Sequence, residues 1–310
     1  MKLTWYRGNP PNFGDELNGL IWPRLLPPGL LDEDGTELFL GIGSIIGNDL
    51  PAAARKIVAG SGYGGYSGLP DLSDGRWSFL WVRGPLTASR LGLDPSLAIT
   101  DGAVLLRALG WPPPAAAAPA EGRAPAFMPH VDSVARGDWP EVCRLAGLRY
   151  LDPRRPAADL LAEIAAAPLV ISEAMHGVIV ADALRCPWIA MQPLIPLHRA
   201  KWEDWAASLG LAIRRHVLPP SNLRERWSRA TGLYATGRRS RALFDNALTG
   251  PFNAAVARRA AEDLAGIARR AEPQLSDGAR LETATARCLE ALDRFLRGRR
   301  SGDTVLSLRA

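Results

Sequence analysis

The sequence predicts an α/β fold of two doubly wound lobes, each built on a parallel sheet, followed by a helical C-terminal extension. Three observations predict it. Short apolar runs alternate with helical patterns from Lys2 to about Ser221, the signature of a parallel sheet covered on both faces. A proline- and alanine-rich break, "GWPPPAAAAPAEGRAPA" (110–126), divides that alternation in two and reads as a semi-rigid linker. From Ser221 onward the strand signals stop and long helical patterns take over. The implied organisation is a first lobe over 1–112, a linker over 113–125, a second lobe over 126–220 and a helical extension over 221–310.

In the first lobe, "KLTWYR" (Lys2–Arg7) reads as a strand. "DELNGLIWPRLL" (Asp15–Leu26) places Leu17, Leu20, Ile21 and Leu25 at helical spacing, with Asp15 positioned to cap the start. "ELFLGIGSII" (Glu37–Ile46) is a buried strand ending in glycines, and "RKIVAGSGYGGYSG" (Arg55–Gly68) a strand entering a glycine-rich loop. "SFLWVRGPLTASRLG" (Ser78–Gly92) is a strand, a Gly84-Pro85 turn and a helix. "LAITDGAVLLRALG" (Leu97–Gly110) repeats the strand-to-loop design.

In the second lobe, "PAFMPHV" (Pro125–Val131), "LRYLDP", "LVIS" and "PWIAMQP" are strands. Helices follow around Trp139–Ala146, in "RPAADLLAEIAAAP", in "HGVIVADALRC" and through "HRAKWEDWAASLG". The tail helices include "NAAVARRAAEDLAGIARRA" and "TATARCLEALDRFLRG".

Composition narrows the function classes. The 310 residues are 47% hydrophobic, enough for substantial cores. No apolar run is long enough to cross a membrane and no signal core opens the chain, so a cytoplasmic location is expected, compatible with the inner face of a membrane. The net charge of +5 rests on arginine, because Lys2, Lys56 and Lys201 are the only lysines. Arginine excess reflects either coding bias or a surface that attracts phosphates and acidic head groups. No dense basic stripe interleaved with aromatics argues for nucleic acid. Cys143, Cys186 and Cys288 are scattered, with no metal-ligand spacing and no disulfide framework. No metal cluster is visible, no Asp-x-Asp motif argues for a bound divalent ion, and no redox cofactor is called for.

The polar residues at strand ends are the candidates for chemistry, since ligands of open α/β sheets bind there, here in the cleft expected between two lobes. Asn12, Gly14 and Asp15 follow the first strand and open a helix, which suits a polar ligand or simply a capped turn. Arg83 ends the strand "FLWV"; its guanidinium fits a carboxylate or phosphate, and equally an inter-loop salt bridge. Asp101 suits orienting Arg83 or a sugar hydroxyl, and equally capping the next helix. His176, in "LVISEAMHG", sits where a strand stops and a helix begins, poised to donate a proton or pair with phosphate. Glu173 is placed to hold that imidazole charged or in one tautomer. His130 ends the neighbouring strand, and Lys201 is a candidate phosphate partner; His198 and His216 lack such placement.

These segments, in this order, resemble the polysaccharide pyruvyl transferase family, and most closely its exopolysaccharide, succinoglycan-type subgroup. The carriers are "NFGDELN", "GIGSII", "VRGPLTASRLG", "ITDGAVLL", "SEAMHGVIVADALRCPWIA" and "KWEDWAASLGL", covering residues 5–211; the tail matches nothing comparable. The resemblance implies two Rossmann-like lobes in a GT-B-like arrangement. It implies transfer of pyruvate from phosphoenolpyruvate to a saccharide acceptor, free or lipid-linked, as a ketal across two hydroxyls, with no other cofactor. The family's S-x-R-x-H segment maps onto Ser172, Ala174 and His176, so Ala174 stands where an arginine holding phosphoenolpyruvate is frequent. On this reading His176 is the general acid or phosphate partner. Arg83, Lys201 and His130 hold anionic groups, and Asp15 or Asp101 orients or deprotonates the acceptor. The alternatives are a GT-B-type nucleotide-sugar glycosyltransferase and a non-catalytic glycan-binding or assembly protein with peripheral membrane association.

Overall fold

The computed structural model describes residues 1–111 and 123–300. Most of the expected linker, 113–125, therefore lies outside the described residues. The first half of the chain runs β1 (Lys2–Thr4), α1 (Phe13–Leu25), β2 (Glu37–Leu40), β3 (Arg55–Ala59), β4 (Trp77–Trp81) and α2 (Pro85–Leu91). Then follow β5 (Ala126–Met128), α3 (Val131–Arg136), α4 (Trp139–Ala146), β6 (Arg149–Tyr150), α5 (Ala157–Ala165), β7 (Val170–Ser172) and α6 (Met175–Ala183). The remainder is β8 (Trp188–Met191), α7 (Ala200–Ser208), β9 (Arg215–His216), α8 (Leu223–Thr231), α9 (Arg238–Phe244), α10 (Gly250–Arg270) and α11 (Gly278–Arg300). The order β1-β2-β3-β4 forms one sheet and β6-β5-β7-β8-β9 the other, and every strand pair in both is parallel.

The described residues divide into two compact units that do not follow the expected domain boundaries. Unit 1 holds 1–111, 197–213 and 276–300, and unit 2 holds 123–196 and 214–275. The helix α7, read above as the end of the second lobe, belongs to unit 1. The helical extension is shared out, with α8 to α10 in unit 2 and α11 in unit 1.

In unit 1 the side chains of β2 alternate as a strand with two covered faces requires. Phe39 packs edge-on to Trp22 of α1, with ring centroids 4.8 Å apart, while Leu38 and Leu40 join Val58, Ala88 and Leu91 in a cluster beneath α2. The buried face of α1 is fixed by Leu17, Ile21 and Trp22. The helix begins two residues before the expected Asp15 cap: Asn12 is the N-cap, and Asp15 sits in the first turn, where its charge suits the helix dipole. Leu97–Gly110 also departs from expectation. Pro95–Leu97 and Gly102–Leu109 are 3-10 helices, and the intervening stretch makes a strand-like bridge between Val82 and Ala98. Asp101 caps the second helix by accepting the Ala103 N–H, one of the two roles read for it, and the apolar run "AVLL" is buried within that helix.

Asn18, an uncomfortable residue for a helix interior, explains itself here. Its side chain donates to the carbonyls of Asp15 and Ile42 and accepts the Ile42 N–H and the Trp22 indole N–H, all at 2.9–3.0 Å. It thus pins the glycine turn after β2 against α1 with every polar group satisfied.

That fit leaves no room at Gly41, where a Cβ would lie 1.9 Å from the Trp22 indole nitrogen. Gly41→Ala is therefore expected to cost several kcal/mol, on the order of an overpacked core site or more, with the shift in urea midpoint as the measurement. A midpoint within error of the parent would show that the turn is not pinned as described.

Candidate active site

The strand order of unit 2 reverses direction once. From β5 the chain crosses to β6 on one side, then returns through α5 to β7 on the other. In doubly wound sheets the crevice at the carboxyl ends of such a strand pair is where ligands bind, because the loops on either side diverge. The carboxyl ends of β5 and β7 carry His130 and the segment Glu173 to His176.

Glu173 is the joint of this region. Although only 7% exposed, its carboxylate accepts the His130 backbone N–H at 3.0 Å, the Ser133 hydroxyl at 3.1 Å and the Leu194 backbone N–H at 3.1 Å. One carboxylate thus ties together the loops that leave β5, β7 and β8. The sequence reading assigns Glu173 to the His176 imidazole; the structure gives the carboxylate to these three donors instead. Three donors supply the hydrogen bonds that a buried carboxylate cannot do without.

The rest of "SEAMHG" follows from local geometry. The Ser172 hydroxyl accepts the Ala174 N–H at 3.1 Å and donates to the Ala174 carbonyl at 2.8 Å, closing the strand-to-helix turn. Gly177 is required by that hydroxyl: a Cβ there would come within 2.4 Å of Ser172 Oγ. Ala174 is the N-cap of α6, Met175 is buried, and His176 is half-buried in the first helical turn. His130 caps α3, its ring Nδ1 accepting the Asp132 N–H at 3.3 Å.

Beside these residues lies a small pocket, open to solvent, whose walls include Ser133, Trp139, Glu173, Gln192, Glu225 and Arg229. Glu225 is held by the Trp139 indole N–H at 3.0 Å and by the Ser221 N–H and hydroxyl at 2.8 and 2.7 Å. Burial pushes its carboxyl above the usual range, and the charge of Glu173 adds to the effect, against those donors. The segment "SNLRE" signals a helix start, met here by Asn222 Oδ1 accepting the Glu225 N–H, but nothing in it signals a pocket wall.

Arg136 is the residue that sequence reasoning missed most completely. It is 1% exposed. Nη2 donates to Ser133 Oγ at 3.2 Å, while Nε and Nη1 have no partner among the described residues. The nearby Arg224 is also buried, and burial lowers its pKa; the charges of Arg241 and Arg136 add to that, opposed by Asp245. Arg136 is therefore a guanidinium within reach of other cations, one hydroxyl away from Glu173, with unspent donors. An arginine in the last turn of a helix ordinarily reads as a complement to the dipole, so its position gave no signal.

Unit 1 treats its candidates differently. Arg83 has no exposed surface. Nε pairs with Asp204 at 3.0 Å, Nη1 donates to Ser44 Oγ at 2.7 Å and Nη2 to the Tyr63 carbonyl at 3.3 Å. Of the two readings weighed for Arg83, the structure shows the inter-loop salt bridge, and the guanidinium is spent on it. Asp204 also accepts the Leu86 and Thr87 N–H groups and the Thr87 hydroxyl, capping α2 and docking α7 onto it. Asp101 is fully buried, and its Oδ1 caps the following helix, one of the two roles read for it. Asp15 is half-buried, accepts from Asn12 Nδ2 at 2.7 Å and lies close to Gly43, while Gly14 is buried in the first turn of α1. Lys201 is half-buried with its ammonium 6.0 Å from the Tyr66 ring centroid; the Tyr66 hydroxyl hydrogen-bonds His198 Nδ1 at 2.9 Å.

Comparison with known proteins agrees with the motif-based resemblance. The family model for polysaccharide pyruvyl transferase matches residues 48–193, a span that includes Arg83, His130, Glu173 and His176. The succinoglycan biosynthesis protein ExoV of Rhizobium meliloti (strain 1021) is 39% identical over 227 residues, covering 73% of this chain and 70% of that protein. No solved structure matches the chain. On these grounds the chain belongs to the polysaccharide pyruvyl transferase family, as an enzyme of its succinoglycan type.

Proposed function

We propose that the chain transfers pyruvate from phosphoenolpyruvate onto a sugar of a bacterial exopolysaccharide, closing a ketal across two hydroxyls. The observation that carries this reading is the reversal point of the unit 2 sheet, where the strand-end segment with His176 lies beside a pocket and a buried, underused guanidinium. The Rossmann-like, GT-B type of fold belongs to the same reading, supported in each unit separately by an all-parallel sheet. So does a saccharide acceptor, free or lipid-linked, since the ExoV relative is a protein of succinoglycan biosynthesis.

The chemistry sets the demands on the site. Phosphoenolpyruvate carries a phosphate and a carboxylate, so its site needs several donors. Proton transfer to its methylene carbon leaves an electron-poor C2, which a sugar hydroxyl attacks. The second hydroxyl then displaces phosphate with cleavage of the C2–O bond. Of the two hydroxyl protons, one balances the methyl group formed and the other leaves with phosphate. His176 is the proton donor or phosphate partner in this reading, with His130 behind it. In unit 1, Asn12, Gly14, Asp15 and Lys201 are the residues offered to substrate; Arg83 shapes its own loop rather than touching the donor. Arg136 supplies the cation that Ala174 does not, held in place by Ser133 and Glu173. No cofactor beyond the donor is part of the proposal.

The direct test is phosphate release from phosphoenolpyruvate in the presence of a glycoside with free 4- and 6-hydroxyls, with product mass confirming the ketal. Turnover of nucleotide sugars and none of phosphoenolpyruvate would overturn the assignment. His176→Ala is expected to lower kcat by roughly 10²–10⁴-fold, and near-parental turnover removes it from the mechanism. Arg136→Met separates binding from folding. Replacing an underpaired buried charge with an apolar chain of similar length should leave the melting temperature unchanged or raise it, while KM for phosphoenolpyruvate rises about 10- to 100-fold for a lost charged hydrogen bond. An unchanged KM would make Arg136 purely structural.

A further inference from the structure

The segment 226–252 of unit 2, from the end of α8 through α9 to the first turn of α10, is built unlike the rest of the surface. It exposes Leu233, Tyr234, Leu243, Leu248 and Phe252, with Leu248 at 85% and Phe252 at 65%, and Trp227 stands at its edge. The helix α9 buries none of its residues. These side chains share one tip. The Trp227 and Phe244 rings lie 6.0 Å apart, and the Phe244 carbonyl accepts from Thr249 Oγ1 and Asn253 Nδ2 at 2.7 Å each, folding the start of α10 back onto α9. The same tip carries Arg226, Arg229, Arg238, Arg239 and Arg241, and Asp245 is the single acid between Arg226 and Phe252.

Aromatic and leucine side chains left in water beside a one-signed run of arginines need an occupant that is apolar inside and anionic at its surface. A nucleic acid would answer the arginines but not the leucines, and a neutral apolar partner the reverse. We infer that the 226–252 tip is a membrane-docking surface that inserts Leu243, Leu248 and Phe252 into the interfacial region of an anionic bilayer, while Arg238, Arg239 and Arg241 engage its head groups. This attachment is peripheral: no helix among the described residues is long and apolar enough to cross a membrane.

The experiment is flotation of the purified full-length chain with vesicles of phosphatidylcholine alone, and of phosphatidylcholine containing about a third phosphatidylglycerol. The chain should float with the anionic vesicles only, and less as salt is raised toward 1 M, where exposed charges are screened within about 3 Å. A Leu243→Ser/Phe252→Ser double variant and an Arg238→Ser/Arg239→Ser/Arg241→Ser triple variant should each reduce partitioning about 10-fold or more. Both should keep the parental melting temperature, because the altered side chains are exposed, and parental turnover of a soluble acceptor, because none belongs to the proposed site. No flotation of the parent chain with anionic vesicles overturns the inference, whatever protein or nucleic acid the tip then captures. So does parental flotation in either variant.

Discussion

The carboxylate of Glu173 is the constraint on which unit 2 turns. Burying a carboxylate is expensive unless its oxygens are hydrogen-bonded, and this one accepts from two backbone N–H groups and one hydroxyl drawn from two other loops. The carboxyl ends of β5, β7 and β8 are therefore held in one geometry by a single group. His130 caps α3 because its own N–H is committed to Glu173, and Ser133 passes the connection on to Arg136. The first turn of α6, with His176, inherits its position from the same joint through the Ser172 turn.

The two units spend charge in opposite ways. In unit 1, Arg83 and Asp204 consume each other along with the surrounding hydroxyls and N–H groups, leaving a closed network whose work is to dock α7 onto α2. In unit 2, Arg136 is buried just as deeply but keeps two nitrogens unused. A closed network specifies a fold, whereas an open one leaves binding capacity. Ala174 fits this contrast. The strand-to-helix turn there carries a small buried N-cap, and the buried guanidinium sits on the neighbouring helix α3.

Much of this was legible in the chain itself. Strands such as β7 and β8 announce themselves as unbroken apolar runs, and α4, α5 and α10 by their spacing, because each satisfies its own periodicity. What escaped depends on partners distant in sequence. β9 is two residues of Arg215 and His216, with no apolar pattern to betray it. The "LAIT" run reads as a strand, but it leaves a 3-10 turn and meets the sheet through a bridge from Ala98 to Val82. The helix α7 belongs to unit 1 through Asp204, whose partners lie more than a hundred residues away. At the site, the strand-end placement of Glu173 and His176 was visible, but the donors that claim Glu173 were not, since two of the three are backbone groups that no side-chain pattern encodes.

The way the chain is divided between the units has a consequence for its synthesis. Unit 1 is assembled from three separate stretches, and Leu281, Ala284, Cys288, Leu292 and Phe295 of α11 are buried within it. A ribosome delivers those residues only after every part of unit 2 has emerged. The unit that begins first is thus completed last, and its nascent apolar surface has to wait, exposed, while a later-born neighbour folds around its own sheet. Truncation from the carboxyl end would remove not an appendage but the closing wall of the amino-terminal half.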